Sequence, residues 1–291
     1  MRFLFGLFAL LPLPAVHFLG GLAGGLIYML SPTYRRNLHA NLAQALGEAA
    51  VPRWRWAAAA SAGRMVLELP RIWEKPLAVA VGQVKEVTGW DIVDAAIARG
   101  KGIVFLTPHL GCFEITAQLY ATRAPITVLY RPPKQVWLGE MILRGRARDS
   151  LYLAPADLSG VRNLIKALKR GEAVGMLPDQ APKVGEGRWL PFFGRPAYTM
   201  TLAARLTETG ATVIMAWGER LPGGAGYRVH FCAPAAPVEG DLEARAIAIN
   251  REIEGLIRQC PGQYLWGYNR YKQPAGAEPP PVPPAPVPDA N

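Results

Sequence analysis

The chain has 291 residues, 51% of them hydrophobic, and a formal net charge of +10, so it can bury a sizeable core and will attract anions: nucleic acid, lipid headgroups, phosphorylated substrates or an acidic carrier protein. Its three cysteines, Cys112, Cys232 and Cys260, are odd in number and spaced like neither a disulfide framework nor a zinc site, which fits a reducing compartment.

Residues 3–30 contain no Asp, Glu, Lys or Arg, a run long enough to cross a bilayer core. Pro12, Pro14 and the glycines at 20, 21, 24 and 25 interrupt it, so it either spans the membrane or dips into one leaflet as a kinked hairpin. A lone arginine before it and no A-x-A-like site after it argue against a signal peptide. Arg35 and Arg36 follow the segment, against Arg2 in front, and this bias places the bulk of the chain in the cytoplasm. Residues 1–30 are therefore expected to be a membrane anchor. Ser31, with Pro32 behind it, is the expected N-cap of a basic amphipathic helix suited to an anionic membrane surface. A further helix is predicted over the alanine-rich residues 53–68, with Trp54, Trp56 and Trp73 either at the interface or in the core.

From residue 101 short apolar runs alternate with amphipathic stretches. Strands are predicted at 102–107, 126–130, 173–177, 212–217 and 227–231, and helices at 112–122, 136–148, 159–170, 199–209 and 240–259. Such alternation reads as an α/β domain over residues 31–273, a central, mostly parallel sheet flanked by helices. The run Trp189–Phe193 is either core or an apolar loop beside the site. The proline-rich residues 274–291 are expected to be a disordered tail.

The stretch GIVFLTPHLGCFEI carries the chemistry. A buried strand ends at Thr107-Pro108, His109 stands at its carboxyl end, and Gly111 opens a helical run containing Glu114. Active sites of α/β sheets lie at that end of the strands. With His109 in the loop and Glu114 early in the helix, the carboxylate is expected to hold one imidazole nitrogen and leave the other free as a general base. The amides near Gly111 and Cys112 are the expected donors to an oxyanion. Cys112 is too close along the chain to align with His109 as a nucleophile and reads as a small buried thiol.

This H-x-x-x-x-E element resembles the motif of the glycerolipid acyltransferase superfamily. More closely, the ordered series RRNLHANL, TPHLGCFE, VLYRPPK, GRAR, LPDQAP, LPFFGRPAYT and QYLWGYNRYK resembles the late acyltransferases of lipid A biosynthesis. The resemblance implies an enzyme on the cytoplasmic face of the inner membrane. It would move an acyl chain from acyl carrier protein to the hydroxyl of a 3-hydroxyacyl chain on a lipid A precursor. No cofactor is expected, and no metal is implied, since neither motif brings together three or four ligands. Pro178-Asp179-Gln180 departs from the Pro-Glu-Gly of the glycerol-phosphate branch. By the same resemblance His109 is the base and Glu114 its partner, Arg146 joins the charge network or stabilises the oxyanion, and Arg131 and Asp179 hold substrate. The basic residues Arg146, Arg148, Arg162, Lys166, Lys169 and Arg170 are the expected carrier contacts. Three alternatives remain: acyl transfer to another membrane lipid, a membrane-tethered anion-binding protein without catalysis, and a lipid hydrolase. No nucleic-acid-binding signature supports the second as a nucleic-acid binder, and the third lacks a G-x-S-x-G elbow.

Overall fold

The computed structural model describes residues 2–281 apart from Lys134. The chain opens with α1 (Arg2–Leu10) and α2 (Leu13–Leu30), then α3 (Pro32–Leu46), α4 (Ala50–Trp73) and the short α5 (Leu77–Val81). Pro12 is the N-cap residue of α2 and Pro14 lies in its first turn, where a missing N–H costs nothing. The prolines thus divide the apolar segment into two helices. The glycines do not break α2; they serve its packing on α4. A Cβ at Gly24 would stand 2.0 Å from the Ala59 carbonyl oxygen, and one at Gly63 would stand 2.0 Å from that of Gly20. Small residues four apart let two helix backbones touch, as Gly20 and Gly24 do here.

The opposite face of α2 exposes Phe18, Leu22, Leu26 and Met29. Among the described residues α2 is the helix long and apolar enough to cross a membrane, and its 18 residues measure about 27 Å. Ser31 caps α3 as expected, accepting from the Tyr34 N–H. Arg35 donates to the carbonyls of Tyr28 and Met29 at the carboxyl end of α2, where a cation is favoured.

A buried ion-pair network joins α2 and α4 to the sheet. Glu68 of α4 receives the Arg220 guanidinium through Nε at 2.9 Å, the Tyr227 hydroxyl at 3.1 Å, and His17 Nε2 of α2 at 3.1 Å. Arg220 also donates to Ser61 Oγ at 2.9 Å and to the Gly111 carbonyl at 2.8 Å. Burial opposes a charge on Glu68, but the Arg220 charge and the hydrogen bonds from His17 and Arg220 outweigh it and hold its carboxyl down to about 2.

Next come β1 (Val84–Thr88), α6 (Trp90–Arg99), β2 (Ile103–Leu106), α7 (Glu114–Tyr120), β3 (Ile126–Tyr130) and α8 (Val136–Arg146). They are followed by β4 (Leu151–Pro155), α9 (Leu158–Lys169), β5 (Ala173–Met176), β6 (Gly187–Phe192), β7 (Arg195–Met200) and α10 (Leu202–Thr207). The series closes with β8 (Thr212–Arg220), β9 (Tyr227–Cys232) and α11 (Leu242–Gln259). The seven-stranded sheet runs β1-β9-β8-β2-β5-β3-β4. It is parallel except for the β8–β9 pair, so the α/β reading holds. The central strands β2 and β5 are wholly buried, as strands covered on both faces must be.

The β6–β7 hairpin stands apart as its own antiparallel ribbon. Leu190, Phe192 and Phe193 are buried in the core, and the Pro191 carbonyl accepts from Asn250 of α11. Within the Trp189–Phe193 run, Leu190, Phe192 and Phe193 are therefore core, while Trp189 is half-buried and Pro191 exposed. Residues 274–281 form neither helix nor strand, yet the Glu278 carbonyl accepts from the Trp189 indole at 2.9 Å. The rest of the proline-rich stretch, 282–291, lies outside the described residues.

Candidate active site

β2 and β5 are parallel neighbours with Leu106 opposite Met176, and each is followed by a proline and an ionisable group: Thr107-Pro108-His109 and Leu177-Pro178-Asp179. Both side chains therefore emerge at one end of the sheet. Asp179 is 1% exposed. Its Oδ2 accepts from the His109 backbone N–H at 2.9 Å and its Oδ1 from the ring Nδ1 at 2.8 Å. Burial works against its charge, but the His109 imidazole, its two hydrogen bonds and Arg270 behind it hold the Asp179 carboxyl below the usual range. An ionised Asp179 fixes the tautomer with the proton on Nδ1 and the lone pair on Nε2. Gln180 Nε2 lies 3.2 Å from that second nitrogen.

The carboxylate on the imidazole is thus Asp179, and not Glu114 as the H-x-x-x-x-E spacing suggested. Glu114 begins α7 and is buried among other partners. The Trp73 indole donates to its Oε2 at 3.2 Å, Arg146 Nε donates to the same oxygen at 2.9 Å, and Arg146 Nη2 pairs with Oε1. The Arg146 guanidinium also lies over the Trp73 ring, 5.5 Å from its centre. The Gly-Arg-Ala-Arg run acquires a physical reading from this. Gly145 lets α8 sit against Trp73, since a Cβ there would fall 2.3 Å from the Trp73 Cβ. Arg146 grips Glu114, and Arg148 donates to the carbonyls of Ile72, Trp73 and Lys75 at the end of α4. Arg148 is therefore engaged inside the protein and leaves the group of expected carrier contacts. Trp73 is a buried member of the site; Trp56 is exposed and packs on Tyr28.

The loop that carries His109 is pinned. Gly111 has φ +59, and a Cβ on it would meet the Gly218 carbonyl oxygen at 1.9 Å, so only glycine fits. Its N–H donates to the Gln263 carbonyl at 3.0 Å, the Cys112 N–H to the Gly218 carbonyl at 2.7 Å, and Leu265 N–H to the His109 carbonyl at 3.1 Å. The two amides expected to receive an oxyanion are thus already committed to backbone carbonyls. Cys112 is 1% exposed, and burial, aided by the charge on Glu68, pushes its thiol well above the ordinary range. It is not a thiolate nucleophile.

A cleft of about 300 Å³ opens in front of His109, with Arg146, Gln180 and Tyr268 in its wall and Arg131 and Lys272 among its lining. Arg131 is exposed and pairs with Glu186 at 3.5 Å, so it belongs to the rim. Phe113, Arg146 and Leu177 are shared with a second, narrow cavity, whose walls include Phe105, Ile126, Val128, Leu151 and Phe231. Gln180 and Trp73 are the site residues that sequence reading missed. Gln180 adjoins Asp179 in a motif already singled out, whereas nothing in the spacing tied Trp73 to Glu114.

A cleft with a carboxylate-held imidazole, an arginine and an adjoining apolar cavity suits acyl transfer. Comparison with known proteins agrees. The chain is 27% identical over 270 residues to the lipid A biosynthesis lauroyltransferase of Escherichia coli K12, covering 90% of this chain and 87% of that one. It is 27% identical over 189 residues to the palmitoleoyltransferase of the same strain, covering 64% and 61%. A lipid A biosynthesis acyltransferase of Haemophilus influenzae is 26% identical over 185 residues, covering 62% and 57%. Residues 2–273 match the family model of the bacterial lipid A biosynthesis acyltransferases, and the chain belongs to that family.

Proposed function

We propose that this acyltransferase of lipid A synthesis takes its acyl group from acyl carrier protein and adds it to the hydroxyl of a 3-hydroxyacyl chain on a lipid A precursor, at the cytoplasmic face of the inner membrane. His109 is the general base, Asp179 its orienting carboxylate, and Arg146, seated by Glu114 and Trp73, the cation that meets the developing oxyanion. The observation that carries this reading is the pairing of His109 Nδ1 with buried Asp179, which leaves Nε2 facing the cleft.

In the reaction His109 Nε2 accepts the hydroxyl proton while the oxygen attacks the thioester carbonyl. The new C–O bond forms, the C–S bond breaks, and the imidazolium returns its proton to the departing thiolate. Arg146 takes the place of the committed loop amides, because it lines both the cleft and the apolar cavity. The acyl tail enters that cavity. The cavity's free volume is about 40 Å³, and Phe113 and Leu177, which it shares with the cleft, are the side chains the tail would pass.

The exposed apolar face of α2 supports membrane attachment. The net charge of +10 and the basic α9 residues Arg162, Lys166 and Lys169 suit an acidic carrier. The test is turnover of labelled acyl carrier protein against acyl-coenzyme A at low and moderate salt, with a lipid A precursor as acceptor. A carrier preference that fades as salt screens the attraction supports the reading. Equal rates from both donors at low salt contradict the carrier assignment.

A further inference from the structure

His109 Nε2 is the nitrogen that must take the acceptor proton, and it is already occupied. Because Nδ1–H is given to Asp179, Nε2 carries a lone pair, and the Gln180 carboxamide N–H donates to it across 3.2 Å. The backbone on both sides of Gln180 is fixed. Asp179 is clamped by its two bonds to His109, and the Ala181 N–H donates to the Tyr268 hydroxyl oxygen at 3.0 Å. Only the half-buried side chain of Gln180, which lines the cleft, is left to move.

We propose that the Gln180 carboxamide caps the base at His109 Nε2 and yields it only to an acceptor hydroxyl, so that the enzyme transfers its acyl group in preference to hydrolysing the donor. This rests on the reading of His109 as the base. Water and the acceptor hydroxyl are chemically equivalent nucleophiles for a thioester. Either gives a proton to Nε2 and releases the thiol, water leaving a free fatty acid and the hydroxyl an ester. A base left open while the donor waits in the cleft activates whichever arrives first, and bulk water is always present. A carboxamide cannot take up the proton and is a poor nucleophile, so it shields the lone pair without reacting. An acceptor held in the cleft by its own contacts displaces the amide at the cost of one neutral hydrogen bond, which free water, lacking those contacts, recovers less readily. Once displaced, the amide N–H remains beside the reacting atoms.

The experiment uses the full chain in detergent with a labelled acyl thioester of acyl carrier protein, with and without lipid A precursor, and counts free fatty acid against acylated lipid. Gln180→Ala removes the cap, and Gln180→Met keeps its length without a donor in case the shorter variant fails to fold. The expected result is a rise of roughly three- to tenfold in the ratio of hydrolysis to transfer, the worth of one neutral hydrogen bond, with hydrolysis also faster when no acceptor is added. A change confined to folding lowers both products together and leaves their ratio alone. Folded variants with an unchanged or lower ratio overturn the proposal, provided that His109→Ala abolishes both products. If His109→Ala retains transfer, the underlying reading falls with it.

Discussion

Asp179 holds His109 at two points, one carboxylate oxygen on the backbone N–H at 2.9 Å and the other on the ring Nδ1 at 2.8 Å. The two bonds make a sharp substitution available. In Asp179→Asn the amide oxygen keeps the backbone N–H, which turns the NH₂ group toward Nδ1. The ring then has to carry its proton on Nε2, the wrong nitrogen for a base. The expected loss is on the order of 10² to 10⁴ in kcat with little change in KM, read by steady-state turnover with circular dichroism to confirm folding. A kcat within a few-fold of the parent would remove Asp179 from the mechanism.

In the proposed mechanism Glu114 acts through Arg146. Since Arg146 and Trp73 occupy its oxygens, Glu114→Ala and Arg146→Ala each disrupt the same unit, and the double variant should be little worse than either single one. A double-mutant cycle on turnover should give a Glu114–Arg146 coupling of roughly 1.5–3 kcal/mol and a smaller coupling between Glu114 and Asp179. The reverse order would restore Glu114 as the imidazole's partner.

Much of this was legible in the chain and some was not, for physical reasons. The buried strands announced themselves as apolar runs, and His109 stood out at the end of one of them. The strands β1 and β4 escaped notice because they form the two edges of the sheet. Lys85 and Glu86 face solvent in β1, and β4 ends in Pro155, as edge strands permit. Asp179 was expected from the resemblance to hold substrate; its pairing with His109, 70 positions away along the chain, forms only when β2 and β5 pair. The matching punctuation after those strands, a proline and then an ionisable residue, was the available signal. The glycines of α2 were read as interruptions, since the partner they pack against, Gly63, lies on another helix.

The apolar N-terminus is built into the fold. Deleting residues 1–30 removes His17 from Glu68 and uncovers the Gly63 face of α4, so the truncated chain should be lost to aggregation or show a markedly lower Tm. Gly24→Val tests the packing alone: its side chain has no room beside the Ala59 carbonyl, and overpacking costs roughly 1–3 kcal/mol. Thermal unfolding in detergent measures both. A truncated protein with parental Tm and turnover would show that the helix is a detachable anchor.

Glu68 sets a pH dependence. Its folded-state pKa of about 2 lies below its ordinary value of 4.5, so its contribution is complete above pH 4.5 and is lost as the pH falls toward 2. Asp179 is displaced in the same direction. The unfolding free energy should therefore decline over that window, Glu68 supplying up to about 1.4 kcal/mol per pH unit. In Glu68→Gln, weaker at neutral pH because Arg220 loses its partner, the decline should be shallower. Denaturant unfolding at several pH values decides, and parallel slopes for the two proteins would contradict the assignment.

The proposed catalytic role of His109 is tested most directly by turnover of labelled acyl carrier protein with a lipid A precursor by His109→Ala and Cys112→Ala, each checked for folding by circular dichroism. The histidine variant should lose on the order of 10² to 10⁴ in rate, and the cysteine variant, whose thiol is buried and protonated, should retain substantial activity. A folded His109→Ala protein with near-parental turnover, or an inactive Cys112→Ala protein together with a trapped acyl-thioester, would contradict that role.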